Sequence, residues 1–179
     1  MQLLYLTSVG EKTTKLAHWQ AERLGFKVVL LNKRETWIEK YKRFILSANE
    51  ACFRCDADII LNKKIASVSC CMEDMIQYQT YDLYRNDVGI TSPVYYSKKA
   101  LDYIRDHLDD LDEYRPETSA WRMIEKAGLL TYTDETVVGF HGFYQSKPTI
   151  KRAKQNKIDR KQIYSYDFRL AEKINEDLR

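Results

Sequence analysis

The sequence predicts an α/β fold in which a mixed, mainly parallel sheet is flanked by helices. Its first 56 residues alternate apolar runs with amphipathic stretches in the order β-α-β-α-β. That order favours parallel strands joined by right-handed crossovers. Polar residues Thr7, Ser8, Asn32, Asp56 and Asp58 collect at the C-terminal ends of the apolar runs, where such sheets gather ligands. A length of 179 residues suits one domain with a single core.

Each element has a local signal. "QLLYLTS" is a short apolar run ending in small polar residues. Ser8 and Glu11 fit a capping box ahead of a helix running to about Leu24, with Gly25 as its stop. "FKVVLLN" is rich in branched aliphatics and reads as a second strand. Trp37, Ile38, Tyr41, Phe44, Ile45 and Ala48 recur at helical spacing. "ACFRC" is the third strand and runs into Asp56-Ala57-Asp58. Beyond Asn62, "IASVSCC" and "DVGITSPVYY" are expected as strands. Residues 97–108 form a helix capped by Ser97, and 117–128 another ending at Gly128. "LLTYTD" and "TVVGFHGF" are expected as two further strands. Residues 1–148 are expected to form a compact domain, with 149–179 a basic, amphipathic helical extension packed on it.

Composition narrows the function classes. With 44% hydrophobic and 31% charged residues the chain is globular rather than disordered. Its apolar runs are too short to span a bilayer. "MQLLYLTSVG" has neither a basic n-region nor a small-residue cleavage site, so it reads as a strand, and a cytoplasmic location is expected. A net charge of +3 does not imply nucleic acid, although residues 147–161 are strongly basic and 106–117 acidic. Cys52-x-x-Cys55 is a poor zinc signal. Strand positions three apart face opposite ways, and Cys70-Cys71 is not a second such pair. Buried free thiols fit better.

Asp56 and Asp58, two apart on an extended segment, are expected to face the same side and to serve one hard cation. Turn capping competes with that reading. Asp110-Leu111-Asp112 has the same spacing in a polar linker and reads as a solvated turn. The placement of Asp56 and Asp58 between an apolar strand and "IIL" distinguishes them, because charges there require compensation. His141 ends a late strand, flanked by Gly139 and Gly142, which are expected to let backbone approach a ligand. A single histidine is more often a packing residue. Glu117 opens a helix after Pro116, where it either complements the helix dipole or serves as a carboxylate base.

Taken in order, "RCDADIIL", "GITSPVYYSKKALDYI", "PETSAWRMIEKAG" and "GFHGFYQ" resemble the layout of GT-A glycosyltransferases, particularly the family 2-like enzymes of the nucleotide-diphospho-sugar transferase superfamily. The likeness covers about residues 1–148. It implies a GT-A-like (Rossmann-like) sheet in which Asp56, Asp58 and His141 hold Mn²⁺ or Mg²⁺ on the diphosphate of a nucleotide-sugar, a UDP-sugar foremost. Glu117 is then the base for the acceptor hydroxyl. Thr7, Ser8, Asn32, Lys12, Ala57 and Lys147 line the donor, with Lys40 another cation within reach of phosphate. Transfer of a hexosyl unit with inversion is implied; Thr118, standing where the family has a second acidic residue, leaves retention open. The chain is short for this fold, so a homo-oligomer or a peripheral membrane contact is expected to complete the acceptor site. A nucleotidyltransferase and a non-catalytic nucleic-acid-binding domain are the alternatives. The first is disfavoured because "TSVGEKTTK" is a faint version of its Gly-rich basic loop. The second is disfavoured because the tyrosines are scattered rather than interleaved with the basic run.

Overall fold

Leu3–Thr7 (β1), Lys27–Leu31 (β2) and Cys52–Asp56 (β3) lie parallel, with β1 in the middle. Thr14–Arg23 (α1) and Trp37–Ser47 (α2) make the two crossovers. The chain then runs through Ile59–Leu61 (β4), a 3-10 turn at Lys63–Ser67, Met75–Asp82 (β5), Asp87–Tyr96 (β6) and Lys98–Asp106 (α3). A second 3-10 turn, Leu108–Asp110, leads to Pro116–Lys126 (α4) and Thr131–His141 (β7). The strands form one seven-stranded sheet in the order β2-β1-β3-β6-β5-β7-β4. β6 runs antiparallel to both neighbours, β7 is parallel to β5, and β4 closes the edge antiparallel to β7. This computed structural model describes residues 2–68 and 73–142, together with 151 and 155.

Strand alternation divides the core between two faces. Leu4, Leu6, Phe53 and Cys55 pack with Ala17 and Ala21 of α1. Tyr5, Cys52 and Tyr96 face the other way, onto Tyr41 and Phe44 of α2, Ile104 of α3 and Ile124 of α4. The two cysteines therefore sit in opposite layers, as their spacing predicts. Phe44 is fully buried and meets Tyr5 and Tyr96 edge-on, each with ring centroids 5.2 Å apart. Burying one such side chain contributes roughly 1.5–3 kcal/mol.

The structure corrects several local expectations. The Ser8–Glu11 motif forms, but in the loop after β1, and α1 starts only at Thr14. Thr13, at the N-cap, turns its hydroxyl to the Ala57 carbonyl (2.6 Å) instead of its own helix. α2 carries a capping box of its own, built by Thr36 and Glu39. Residues 65–67 of "IASVSCC" lie in a 3-10 turn, because the Asn62 side chain accepts from Lys64 N and starts a turn rather than a strand. Residues 131–134 of "LLTYTD" and 136–141 of "TVVGFHGF" belong to one strand, β7. Glu135 and Thr136 bulge between the Asp134–Tyr78 and Val137–Gln79 pairs, and the Asp134 carboxylate accepts from Thr136 N. Cys70, Cys71, Lys147, the basic run 147–161 and the extension 149–179 fall outside the description, apart from residues 151 and 155. Among the described residues no helix is long and apolar enough to cross a membrane.

Candidate active site

Register brings the predicted residues together. Thr7 at the end of β1 pairs with Asp56 at the end of β3. Asp58 occupies the turn between β3 and β4, so the two aspartates do not share one extended segment. β4 places Ile59 opposite His141 of β7, and β5 places Asp82 opposite the same His141. The histidine is thereby held between two carboxylates. Nε2 lies 3.1 Å from Asp58 Oδ2, and Nδ1 lies 3.1 Å from Asp82 Oδ1. Asp82 Oδ1 also accepts from the Tyr84 amide, which fixes the carboxylate in turn.

The glycines around His141 are required by the packing of the protein itself. A Cβ on Gly139 would meet the Ile60 carbonyl oxygen at 2.9 Å. Gly142 has φ +84°, and a Cβ there would meet the Tyr84 ring at 2.8 Å. Both close approaches are made by neighbouring strands and turns.

Burial alone would lower the pKa of His141, but the hydrogen bonds to Asp58 and Asp82 outweigh it and raise the group from 6.5 to about 9. A folded-state pKa above the unfolded value stabilises the fold fully below about 6.5, and that stability is lost as pH rises through 9. The shift corresponds to roughly 3 kcal/mol. Urea denaturation without divalent cations should therefore show stability falling between pH 6.5 and 9. His141→Gln should lack that component, and an unchanged profile in the variant would show that another group titrates.

A second ionic network lies beneath the aspartates. Arg54 alternates with Asp56 along β3 and shares its face, with only 2% of its side chain exposed. Nη2 donates to Asp56 Oδ1 at 2.7 Å and Nη1 to Glu117 Oε1 at 3.0 Å. The guanidinium lies over Trp37 (4.7 Å to the centroid) and Tyr41 (5.5 Å). Trp37 Nε1 donates to Glu117 Oε2 at 3.0 Å, joining the start of α2 to the start of α4. Burial opposes the Arg54 charge, but Asp56 and Glu117 hold its pKa above the ordinary value. Burial pushes the Asp56 carboxyl up, with Asp58 and Glu117 adding to the rise and Arg54 opposing it.

Two clefts meet at Asp56. The first, about 240 Å³, is lined by Glu11, Trp37, Asp56, Asp58, Ile59 and His141. The second, about 320 Å³, is walled by β5, β6 and the start of α4, and has Arg54, Asp56 and Glu117 at one side. Other expected donor residues take different places. Thr7 and Ser8 are 1% exposed, and their hydroxyls are engaged within the protein. Thr7 donates to Asp56 Oδ1 at 2.9 Å, and Ser8 to Glu11 Oε2 at 2.6 Å. Ala57 is buried, with its amide on the Thr7 carbonyl. Lys40 is buried and donates to the Ser8 carbonyl, so it braces the β1 loop instead of reaching a ligand; its burial lowers its pKa. Lys12 and Asn32 are exposed.

Asp82 has no place in the sequence reading, and Glu11 and Trp37 have one only as a cap and a helix-face residue, not as part of the site. Asp82 ends the alternation Tyr78, Thr80, Asp82 on the buried face of β5, and a charge closing such a run is a usable signal. Nothing local marks the other two.

No family model matches the sequence, and no curated protein matches it. Solved structures do. The chain is similar to a glycosyltransferase involved in the glycosylation of the major capsid of PBCV-1, with TM-score 0.54 and 10% identity over 87% of this chain and 100% of that one. It is similar to A197 from STIV, with TM-score 0.53 and 13% identity over 80% and 86%. A third is the 4-diphosphocytidyl-2C-methyl-D-erythritol synthase of Anaerococcus prevotii DSM 20548, with TM-score 0.55 and 8% identity over 87% and 95%. Identities this low speak to the fold. It is a Rossmann-like mixed α/β fold of the kind shared by GT-A glycosyltransferases and nucleotidyltransferases.

Proposed function

We propose that the protein is a metal-dependent glycosyltransferase that moves a sugar from a nucleotide-diphosphate donor to an acceptor hydroxyl. The fold serves nucleotidyl transfer equally well, so the site has to carry the reading. The observation that carries it is the meeting of Asp58 and His141 at 3.1 Å in the first cleft, with Asp56 beside them and Glu117 in the adjoining one.

The donor set fits a divalent cation such as Mn²⁺ or Mg²⁺. In this structure Nε2–H donates to Asp58 and Nδ1–H to Asp82; a cation would have to displace the Nε2 proton, after which the neutral imidazole, still held by Asp82, would offer its Nε2 lone pair beside the Asp58 carboxylate. Both contacts of the Asp56 carboxylate fall on Oδ1, leaving Oδ2 without a protein partner among the described residues. Among the described residues no group of three or more His, Cys, Asp or Glu side chains is placed to hold a metal ion, so Asp56, Asp58 and His141 do not converge as a three-ligand site. Asp58 and His141 are the pair that would hold the ion, from one side, leaving its other positions to phosphate oxygens and water, as Mg²⁺-type sites do. Such an ion, when bound, offsets charge on the departing nucleoside diphosphate as a Lewis acid.

Glu117 supplies the base. Each of its oxygens accepts one hydrogen bond, from Arg54 and from Trp37, and a carboxylate has capacity for about four. Capacity remains for an acceptor hydroxyl in the second cleft. As that oxygen attacks the anomeric carbon its proton passes to Glu117, and the bond to the diphosphate breaks with its electron pair leaving on the nucleotide. A base across Asp56 from the donor cleft suits direct displacement with inversion. The test is a donor screen with product NMR. One nucleotide-sugar is expected to yield a glycoside, UDP-sugars foremost. Glu117→Gln is expected to retain donor binding and lose at least about a hundredfold in transfer. Full activity in that variant would remove Glu117 from the mechanism.

A further inference from the structure

We propose that the second cleft is an acceptor pocket for a neutral, hydroxyl-rich unit, a carbohydrate bearing neither phosphate nor carboxylate. This rests on the glycosyltransferase reading and names the class of its second substrate. Among the lining residues the charged groups are Arg54, Asp56 and Glu117, one guanidinium against two carboxylates. Arg54 is not available to an incoming anion. Its two terminal nitrogens each hold a carboxylate, and its Nε is sealed from solvent. The next guanidinium, that of Arg85, packs over Gly89 at the cleft wall, where an added Cβ would meet its Nη1 at 2.7 Å. It faces Asp87 at 3.9 Å.

The remaining polar lining is uncharged: Gln77, Thr91, Ser92 and Thr118. Amides and hydroxyls both donate and accept, as sugar hydroxyls do, whereas a phosphate offers acceptors only and would confront the two carboxylates. The volume, about 320 Å³, lies at the small end of ligand sites and suits the terminal unit of an acceptor. The same electrostatics separate glycosyl from nucleotidyl transfer, whose second substrate attacks through an anionic oxygen.

Saturation-transfer NMR on the full chain, with Mg²⁺ and whichever of UDP, GDP or CMP stabilises the protein, tests this. The probes are methyl glycosides of glucose, galactose and mannose, the corresponding disaccharides, and the 6-phosphates and uronic acids. At least one neutral glycoside is expected to bind, with its 6-phosphate at least about tenfold weaker. Thr91 and Thr118 are exposed, so tryptophan is tolerated at either. Thr91→Trp and Thr118→Trp should each abolish the glycoside signal while keeping the thermal stabilisation by nucleotide. Equal or tighter binding of the phosphates overturns the proposal in favour of an anionic second substrate. It is also overturned if glycoside binding survives both substitutions, or if no neutral glycoside binds while nucleotide stabilisation is intact. Absence of that stabilisation in the unsubstituted protein is a failure of the donor reading, and this proposal falls with it.

Discussion

Arg54→Ala is expected to cost roughly 3–5 kcal/mol of stability, the range for removing one partner of a buried ion pair. The guanidinium is 2% exposed and is the shared counter-charge of Asp56 and Glu117. Its loss leaves two carboxylates facing each other beneath the strand ends, and strips the cation stacked on Trp37 and Tyr41. Arg54→Lys should recover only part of the loss, since a point charge cannot fork to two carboxylates as a guanidinium does. Chemical denaturation of the three proteins measures this. A cost of about 1 kcal/mol or less, as for an exposed pair, would mean that Arg54 is not the centre of the network. On the proposed reading the substitution should also weaken transfer in whatever protein stays folded, because Arg54 sets the positions of Asp56 and Glu117 together.

Asp58→Ala is expected to abolish metal-dependent stabilisation by nucleotide. At a ligand concentration a hundredfold above Kd that stabilisation is about 2.7 kcal/mol. Asp58 supplies one of the two side-chain atoms that meet at 3.1 Å, and His141 alone is a weak site for a hard cation. Asp112→Ala is the matched control. Asp112 Oδ1 accepts from the Tyr114 and Arg115 amides, so this aspartate caps a turn, as its polar setting predicts. Its loss should cost about 1 kcal/mol of stability and leave the metal-dependent shift intact. Identical behaviour of the two variants would mean that the Asp-x-Asp spacing carries no information here.

The first half of the fold was legible because its signals are local. β1, β2 and β3 are apolar runs, and α2 declares itself by the spacing of Trp37, Tyr41, Phe44 and Ile45. β5 was not legible, since "MIQYQTYD" mixes glutamine and tyrosine and takes its strand character from β6 and β7 on either side. The break read between two late strands is a bulge at Glu135 and Thr136, which only the register with β5 reveals. At the candidate site, spacing pointed to Asp56 and Asp58, and the resemblance in layout added His141 and Glu117. What spacing could not show is how they divide. Asp58 turns to His141, whereas Asp56 and Glu117 share Arg54, and Asp82 reaches His141 only through a pairing 59 residues apart. Those partnerships are long-range consequences of sheet order, and no local pattern records them.

Thermal shift against UDP-, GDP- and CMP-sugars, with and without Mn²⁺, tests the central reading most directly. Stabilisation by one of these nucleotides that requires the metal and disappears in Asp58→Ala is the expected result. Stabilisation by oligonucleotides alone, falling steeply with salt, or nucleotide binding indifferent to metal, would contradict it.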